Sequence, residues 1–329
     1  MSVNQDLVSI VIVAYNNWPD LELAIQSALC QSYRNVEVIV IDNSSTDGTQ
    51  EELKQRFDTR IRYIRQSNRR DSGAYNAGMD VAKGSFIQFL DGDDVLAPYK
   101  IEKQVDYLSK NIDVDIAFGD VRSFLTAPGH ASFIEQSPRY GEKMREGFLT
   151  RYGQGMIHWV ALLFRRSALD RIGSFDETLY ATDVEFELRA HWLGCRFGYC
   201  PGNPLAFYRT RPGQMSANTR AMQEGQEEVW RRTLSYVDKE PFLSAVRSNL
   251  AWHQYLRAVN KLEMSTKDAI AKLLEARHSC ANTISIPIFV IGLITVVLPF
   301  GGNLARLPML RSLRRNVAKA VKCRPYWET

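Results

Sequence analysis

Cysteine is scarce in this sequence: five residues in 329, too few and too scattered for a disulfide framework. Cys195 and Cys200 are the closest pair, and no second pair or histidine cluster completes a zinc-binding pattern. A reducing compartment is therefore expected. No glycine-rich dinucleotide loop follows the first apolar run and no Walker loop occurs anywhere, which removes the dinucleotide and P-loop readings. There is no internal repeat. The 20 glycines and 12 prolines are ordinary numbers that exclude collagen-like and low-complexity classes. Met1 to Gln5 is short and polar, with no basic stretch before the apolar run from Val8 to Ala14, so no secretory leader is expected.

What is present suits an α/β core. Hydrophobic residues make up 45% of the chain against 24% charged, enough to build one large domain with an appendage or two modest ones, and too apolar for wholesale disorder. Charge is unevenly spread. The formal net charge is +4, yet residues 279–329 hold seven basic side chains against one acid, Glu328, so the tail stands at +6 and the preceding 278 residues at −2. A near-neutral body with a cationic tail points to an anionic surface, with nucleic acid and membrane as the two candidates.

The first hundred residues alternate strand and helix patterns. Val8 to Ala14 is apolar and rich in β-branched residues, as a doubly buried parallel strand should be. Pro19 suits a first helical turn, and Leu21, Ile25, Ala28 and Leu29 recur at helical spacing. Val36 to Ile41 makes a second strand ending at Asp42. A helix capped by Asp47 or Thr49 runs through Phe57, and Ile61 to Ile64 is a third strand. Ala74 to Ala82 is helical, and Phe86 to Leu90 is a fourth strand running into Asp91, Gly92, Asp93 and Asp94. This order predicts a parallel sheet wrapped by helices, with ligands beyond the carboxyl ends of its strands. Tyr15, Asp42 and Asp91 all fall on those ends.

The later residues predict strands at Asp115–Phe118, His158–Phe164, Arg196–Tyr199 and Leu205–Tyr208, with helices from Ser167 and over Val184–Leu193. Arg209 to Asn218 is a loop, either a lid over a ligand or a plain connection. From Thr219 to Ser279 the pattern is helical throughout.

Packing Asp91, Asp93 and Asp94 within four residues is costly by mutual repulsion unless a cation or hydrogen-bond donors compensate. Oxygen ligands of this kind suit Mg²⁺ or Mn²⁺, which take one or two carboxylates and complete their shell with phosphates and water. The alternative is a solvated turn ahead of the helix that Pro98 introduces; the position at the end of the fourth strand favours the metal. Asp42 can accept a hydrogen bond from a base or ribose, or cap its own turn. His158 is either an acceptor or phosphate contact or an imidazole packed beside Trp159.

The segments Val8 to Asn16, Ile41 to Thr49, Gly73 to Gly78 and Phe89 to Asp94, followed by Gly173 to Glu177, Thr182 to Arg189 and Tyr208 with Arg209, resemble in order the motifs of the family 2 inverting glycosyltransferases. The resemblance covers residues 7–216. It implies a GT-A fold: a Rossmann-like mixed sheet flanked by helices, here with a helical C-terminal extension. The implied organisation is a catalytic domain over 1–218, a helical extension over 219–280 and a tail over 281–329. It further implies a nucleotide-sugar donor, probed by Val13, Ala14 and Tyr15, with Asp42 at the base, Asp91 at the ribose and Gly92 beside it. Asp93 would ligate the metal and Asp183 would be the general base. Where many relatives carry Glu before that base, this chain has Thr182; where an arginine is common, it has Tyr75, with Arg69 or Arg70 as substitutes. Arg211 replaces a common histidine, removing a metal ligand but supplying charge, together with Arg209, for a diphosphate.

The expected activity is metal-dependent, inverting transfer of one sugar, from a uridine-linked donor, to a membrane-associated glycan or lipid-linked saccharide in surface-polysaccharide or cell-wall synthesis. The alternative is an inactive nucleotide-sugar-binding or scaffolding relative. A processive synthase is disfavoured because Gln-x-x-Arg-Trp is absent, and a sugar nucleotidyltransferase because its glycine-rich loop is missing. The tail decides the partner surface. Ile284 to Leu298 is apolar but marginal for a span of about 20 residues; it would dock monotopically, form a shallow hairpin or pack as a core helix. Beyond it Leu310, Leu313, Val317 and Val321 line one helical face, with basic residues on the others, as in a helix lying in an anionic interface. Nucleic acid has no use for an adjoining apolar segment. The expected location is cytoplasmic, on the inner face of the cell membrane, since the positive-inside rule resists exporting the tail.

Overall fold

The computed structural model describes residues 6–125, 157–211, 214–215, 218–240, 242–260, 264–280 and 286–297. They divide into two compact units. The first comprises residues 6–125, 157–178 and 189–211, and the second 179–188 together with the described residues from 214 to 297.

The first unit is built on a seven-stranded mixed sheet. Its leading strands are β1 (Val8–Ala14), β2 (Val36–Asp42), β3 (Arg62–Arg65) and β4 (Phe86–Asp91). After β5 (Val95–Leu96) come β6 (Ile116–Phe118), β7 (Val121–Phe124), β8 (Leu163–Arg165), β9 (Phe197–Tyr199) and β10 (Ala206–Arg209). The large sheet runs β3-β2-β1-β4-β8-β6-β9, and a small one runs β5-β10-β7. β1 pairs parallel with both β2 and β4, while β8 is antiparallel to β4 and β6. All seven residues of β1 are buried, which is why the run lacks the polar alternation of a half-exposed strand. Helices α1 (Asp20–Leu29), α2 (Thr49–Arg56), α3 (Arg70–Val81) and α4 (Lys100–Lys110) make the crossovers. α3 begins four residues earlier than its apolar periodicity suggests, with Asp71 in its first turn, where a carboxylate opposes the helix dipole.

The expected strand His158–Phe164 is shorter than its apolar composition suggested. A 3-10 turn, Trp159–Ala161, precedes β8. Long-range packing is the reason: Trp159 stacks on Phe89 at 5.5 Å and meets Tyr75 and Phe175 at 5.7 and 5.5 Å. Behind this aromatic cluster Lys100 is fully buried. Its Nζ donates to Gln88 Oε1 and Gln104 Oε1, and burial pushes it well below the usual lysine range. Neutral acceptors rather than a carboxylate hold it.

The second unit is helical. The stretch read as one helical pattern is three helices, Thr219–Leu234, Phe242–Asn260 and Thr266–Ser279. Asn218 Oδ1 accepts the Ala221 N–H at 3.1 Å. Ser265 Oγ accepts the Asp268 N–H at 3.1 Å, so each of these two starts carries a side-chain cap. Buried Glu227 gathers Arg257 at 2.6 Å, Arg231 at 2.7 Å and Lys272 at 2.8 Å from all three helices. A fourth helix, Ile286–Val297, buries Ile288 and Val296 in a core with Trp252, Tyr255 and Leu273. Gly292 permits its close approach, since a Cβ there would stand 2.7 Å from the Tyr255 ring and 2.9 Å from Leu273. Residues 286–297 therefore follow the packed-helix alternative. Among the described residues no helix is long and apolar enough to cross a membrane. The basic segment over 301–329 lies outside the described residues.

Candidate active site

Strand register assembles the site. Val13 stands opposite Ile41 on one side and Asp91 on the other, and Ala14 stands opposite Asp42. β1 lies where the strand order reverses, so the carboxyl ends of β1 and β4 flank the crevice in which doubly wound sheets take ligands. Tyr15, just past β1, keeps half its surface exposed. Four of the expected binding positions, Val13, Ala14, Asp42 and Asp91, thus meet because of pairing alone.

Gly92 follows immediately. A Cβ at this position would lie 2.2 Å from Asn17 Nδ2 and 2.7 Å from the Val13 carbonyl. Only glycine lets the acidic turn close on β1. Gly92→Ala is expected to lower the thermal midpoint through an overpacking cost of about 1–3 kcal/mol, since backbone as well as a side chain must move. Differential scanning calorimetry checks this, and an unchanged midpoint would show that the turn is not seated on Val13.

Asp42 is fully buried and heavily engaged. Its Oδ1 accepts the Ser45 N–H at 2.8 Å, and its Oδ2 accepts from Tyr63 Oη at 2.7 Å and Arg65 at 3.2 Å. It caps its own turn, and what it presents outward is Arg65, whose side chain is 40% exposed. Arg65 also donates to the Ser45 carbonyl at 2.9 Å. Burial, then the bond to Asp42, pushes the Tyr63 phenol up to about 12.

The acidic turn is sorted by environment. Asp91 accepts a hydrogen bond from Tyr75 Oη, so Tyr75 anchors a site carboxylate. Asp94 is buried and accepts the Arg209 N–H at 2.8 Å; burial, then the charges of Asp91 and Asp93, push its carboxyl well above the usual range. Asp93 is partly exposed and pairs with Arg211 at 3.1 Å. Burial raises its carboxyl and Arg211 opposes the shift. Arg209 Nε donates to the Asp93 carbonyl at 2.9 Å, and Asp20, in the first turn of α1, meets Arg209 at 3.3 Å and Arg211 at 3.2 Å.

Other expected residues fall as follows. Arg69 is held by Glu177, Nε to Oε2 at 3.0 Å, and Glu177 also accepts from Asn76 at 3.0 Å, so Arg69 is a clasp between α3 and the Gly173–Glu177 segment. His158 packs on Tyr208 with ring centroids 5.0 Å apart; burial lowers it to about 4, leaving it neutral. Arg189 donates to the carbonyls of Ile172 and Ser174 at 2.7 and 2.8 Å, a supporting role. Asp183 belongs to the second unit, at the start of the helix Thr182–Trp192. It is half-buried, and burial raises its carboxyl against the N–H groups of Val184 and Asp183 itself. Asp20 had no role in the sequence reading, and Glu177 entered it only as the last residue of a motif. Asp20 could have been noticed only as an acid in a helix's first turn. The expected lid, Arg209–Asn218, lies partly outside the described residues.

Among the described residues no group of three acidic, histidine or cysteine side chains forms a metal cage. The donor set fits a hard divalent ion in another way. Asp93 is a carboxylate whose side chain keeps 22% exposure, and an ion of the Mg²⁺ type needs one or two such ligands when phosphates and water complete its shell.

The glycosyl transferase family 2 model matches residues 9–173, just over half the chain. The chain belongs to glycosyl transferase family 2. A glycosyltransferase of Rickettsia prowazekii is 28% identical to it over 256 residues, 78% of this chain and 79% of that relative. The Escherichia coli enzyme WfaP, a UDP-Glc:alpha-D-GlcNAc-diphosphoundecaprenol beta-1,3-glucosyltransferase, is 39% identical over 104 residues, 31% of this chain and 41% of its own. Among solved structures, Staphylococcus aureus TarS 1–349 in complex with UDP-GlcNAc superposes with a TM-score of 0.65 at 14% identity, covering 91% of each chain. The mannosyltransferase PcManGT of Pyrobaculum calidifontis, in complex with GDP-Man and Mn²⁺, gives 0.59 at 18% identity over 98% of this chain and 86% of that one. These likenesses establish the GT-A fold. This family 2 glycosyltransferase therefore carries the mixed sheet and helical C-terminal part that its motifs implied.

Proposed function

We propose that the protein moves one sugar, with inversion, from a uridine-diphosphate sugar to a hydroxyl of a membrane-associated saccharide in surface-polysaccharide or cell-wall glycan assembly. The observation that carries this reading is the pairing of Asp91 with Val13 and the close seating of Gly92 on the Val13 carbonyl at the β1–β4 reversal, which sets the acidic turn at the carboxyl ends of two adjacent parallel strands. WfaP, which acts from UDP-Glc on a diphosphoundecaprenol-linked sugar, supports the donor and acceptor classes, and the UDP-GlcNAc complex of TarS supports the donor.

In this mechanism Val13, Ala14, Tyr15 and the Asp42 turn hold the nucleotide, and Asp91, oriented by Tyr75, meets the ribose. Asp93 would hold Mg²⁺ or Mn²⁺, which would supply positive charge to offset the departing diphosphate. Arg209 and Arg211 supply fixed positive charge to the same phosphates. Neutral His158 serves the acceptor rather than a phosphate. Asp183 takes the acceptor hydroxyl proton as the oxygen attacks the anomeric carbon from the face opposite the leaving group. Incubating the purified chain with UDP-sugars and a polyprenyl-diphosphate sugar tests the proposal. A lipid-linked disaccharide of inverted anomeric configuration is expected, and donor binding without any transfer or hydrolysis would favour an inactive binder.

The setting is the inner face of the cell membrane, with contact made by the basic segment after the packed helix. Because Ile288 and Val296 belong to the second unit's core, the informative truncation ends the chain after Val297. That variant is expected to stay folded and to lose flotation with anionic vesicles; unchanged flotation would remove the tail from the account.

A further inference from the structure

Two arginines stand beside the acidic turn, and they are held differently. Arg209 is buried, its backbone N–H on Asp94, its Nε on the Asp93 carbonyl and its terminal nitrogen 3.3 Å from Asp20. Arg211 is 40% exposed and is tied by carboxylates at its terminal nitrogens, Asp93 at 3.1 Å and Asp20 at 3.2 Å. Arg209 is part of the frame. Arg211 is a cation on a long, partly solvated side chain.

We infer that Arg211 is an internal counter-cation for Asp93, which competes with the divalent ion in the nucleotide-free protein and turns to the diphosphate when a nucleoside diphosphate binds. The inference rests on the donor-site reading above. A guanidinium and a divalent ion on one carboxylate repel each other strongly at such separations, so the Arg211 pair weakens metal binding while no phosphate is near. A diphosphate brings several negative charges into the crevice. It offers the planar guanidinium a bidentate partner better than a carboxylate already shared with water, and it frees Asp93 for the ion. Metal and nucleotide binding then become linked, each strengthening the other by the same factor.

Calorimetric titration of Mn²⁺ into the full chain, without and with UDP, tests this in wild type, Arg211→Met and Arg211→Lys. Wild type is expected to bind Mn²⁺ weakly alone and roughly tenfold or more tightly with UDP, within the usual range of coupling between sites. Arg211→Met is expected to bind Mn²⁺ about tenfold more tightly than wild type in the absence of UDP, to bind UDP more weakly, and to show a smaller linkage, the remainder coming from phosphate oxygens in the ion's own shell. Arg211→Lys, which keeps the charge but not the planar fork, is expected to stay near wild type for Mn²⁺ alone and to bind UDP more weakly. Equal Mn²⁺ affinity of wild type and Arg211→Met without UDP, while UDP still binds, overturns the inference alone. Failure of wild type to bind UDP with or without Mn²⁺ overturns the donor-site reading and this inference with it.

Discussion

Asp183→Asn is expected to slow sugar transfer by about 10²–10⁴, the usual contribution of a positioned general base, while UDP binding is retained. The carboxyl of Asp183 is raised by burial at the start of its helix. A base works only when deprotonated, so the wild-type rate should climb as pH rises through that elevated pKa and level off above it. The asparagine variant has no proton to lose, and its residual rate should not show this acidic limb. Steady-state rates across pH, with donor binding measured in parallel, check both statements. Undiminished turnover, or an identical acidic limb in the variant, would remove Asp183 from the chemistry.

Asp93→Asn carries the second large effect. Loss of charge stabilisation at the diphosphate is expected to lower kcat/KM by about 10²–10³ and to abolish the response to added Mn²⁺. Stability should change little, because the Asp93–Arg211 pair is partly exposed, with 22% and 40% of the two side chains accessible; such pairs contribute about 1 kcal/mol or less. Asp94 is the contrasting case. It is buried and receives the Arg209 N–H, so Asp94→Asn should act first on folding. Retained Mn²⁺ activation in Asp93→Asn would contradict the assignment.

These roles were unequally legible in the sequence. β1, β2 and β4 were plain because strands buried on both faces leave near-continuous apolar runs, and the acids directly after β4 could only sit at its carboxyl end. The short strands were less plain. Trp159 reads as strand material until its partners Tyr75, Phe89 and Phe175 are known, and in the small sheet only β10 was read as a strand, because its partners β5 and β7 are two- and four-residue runs with no periodicity to detect. In the site, the identity of the acids was readable but their division of labour was not. That Asp42 is sealed beneath Tyr63 and Arg65, or that Tyr75 holds Asp91, depends on contacts between residues 16 to 23 positions apart. Arg69 offered itself as a phosphate cation only until Glu177, more than a hundred residues away, was seen to hold it. Local pattern reports which face is buried; it does not report which polar group answers another across the fold.

The central claim is that the crevice at the β1–β4 reversal takes a nucleoside diphosphate. Amide hydrogen exchange of the full chain with and without UDP and Mg²⁺ tests it residue by residue, because ligand contacts slow the local opening through which buried amides exchange. Protection concentrated in residues 13–17, 42–46 and 91–94 is the predicted result. Protection confined to other segments, or none at saturating UDP, would contradict it.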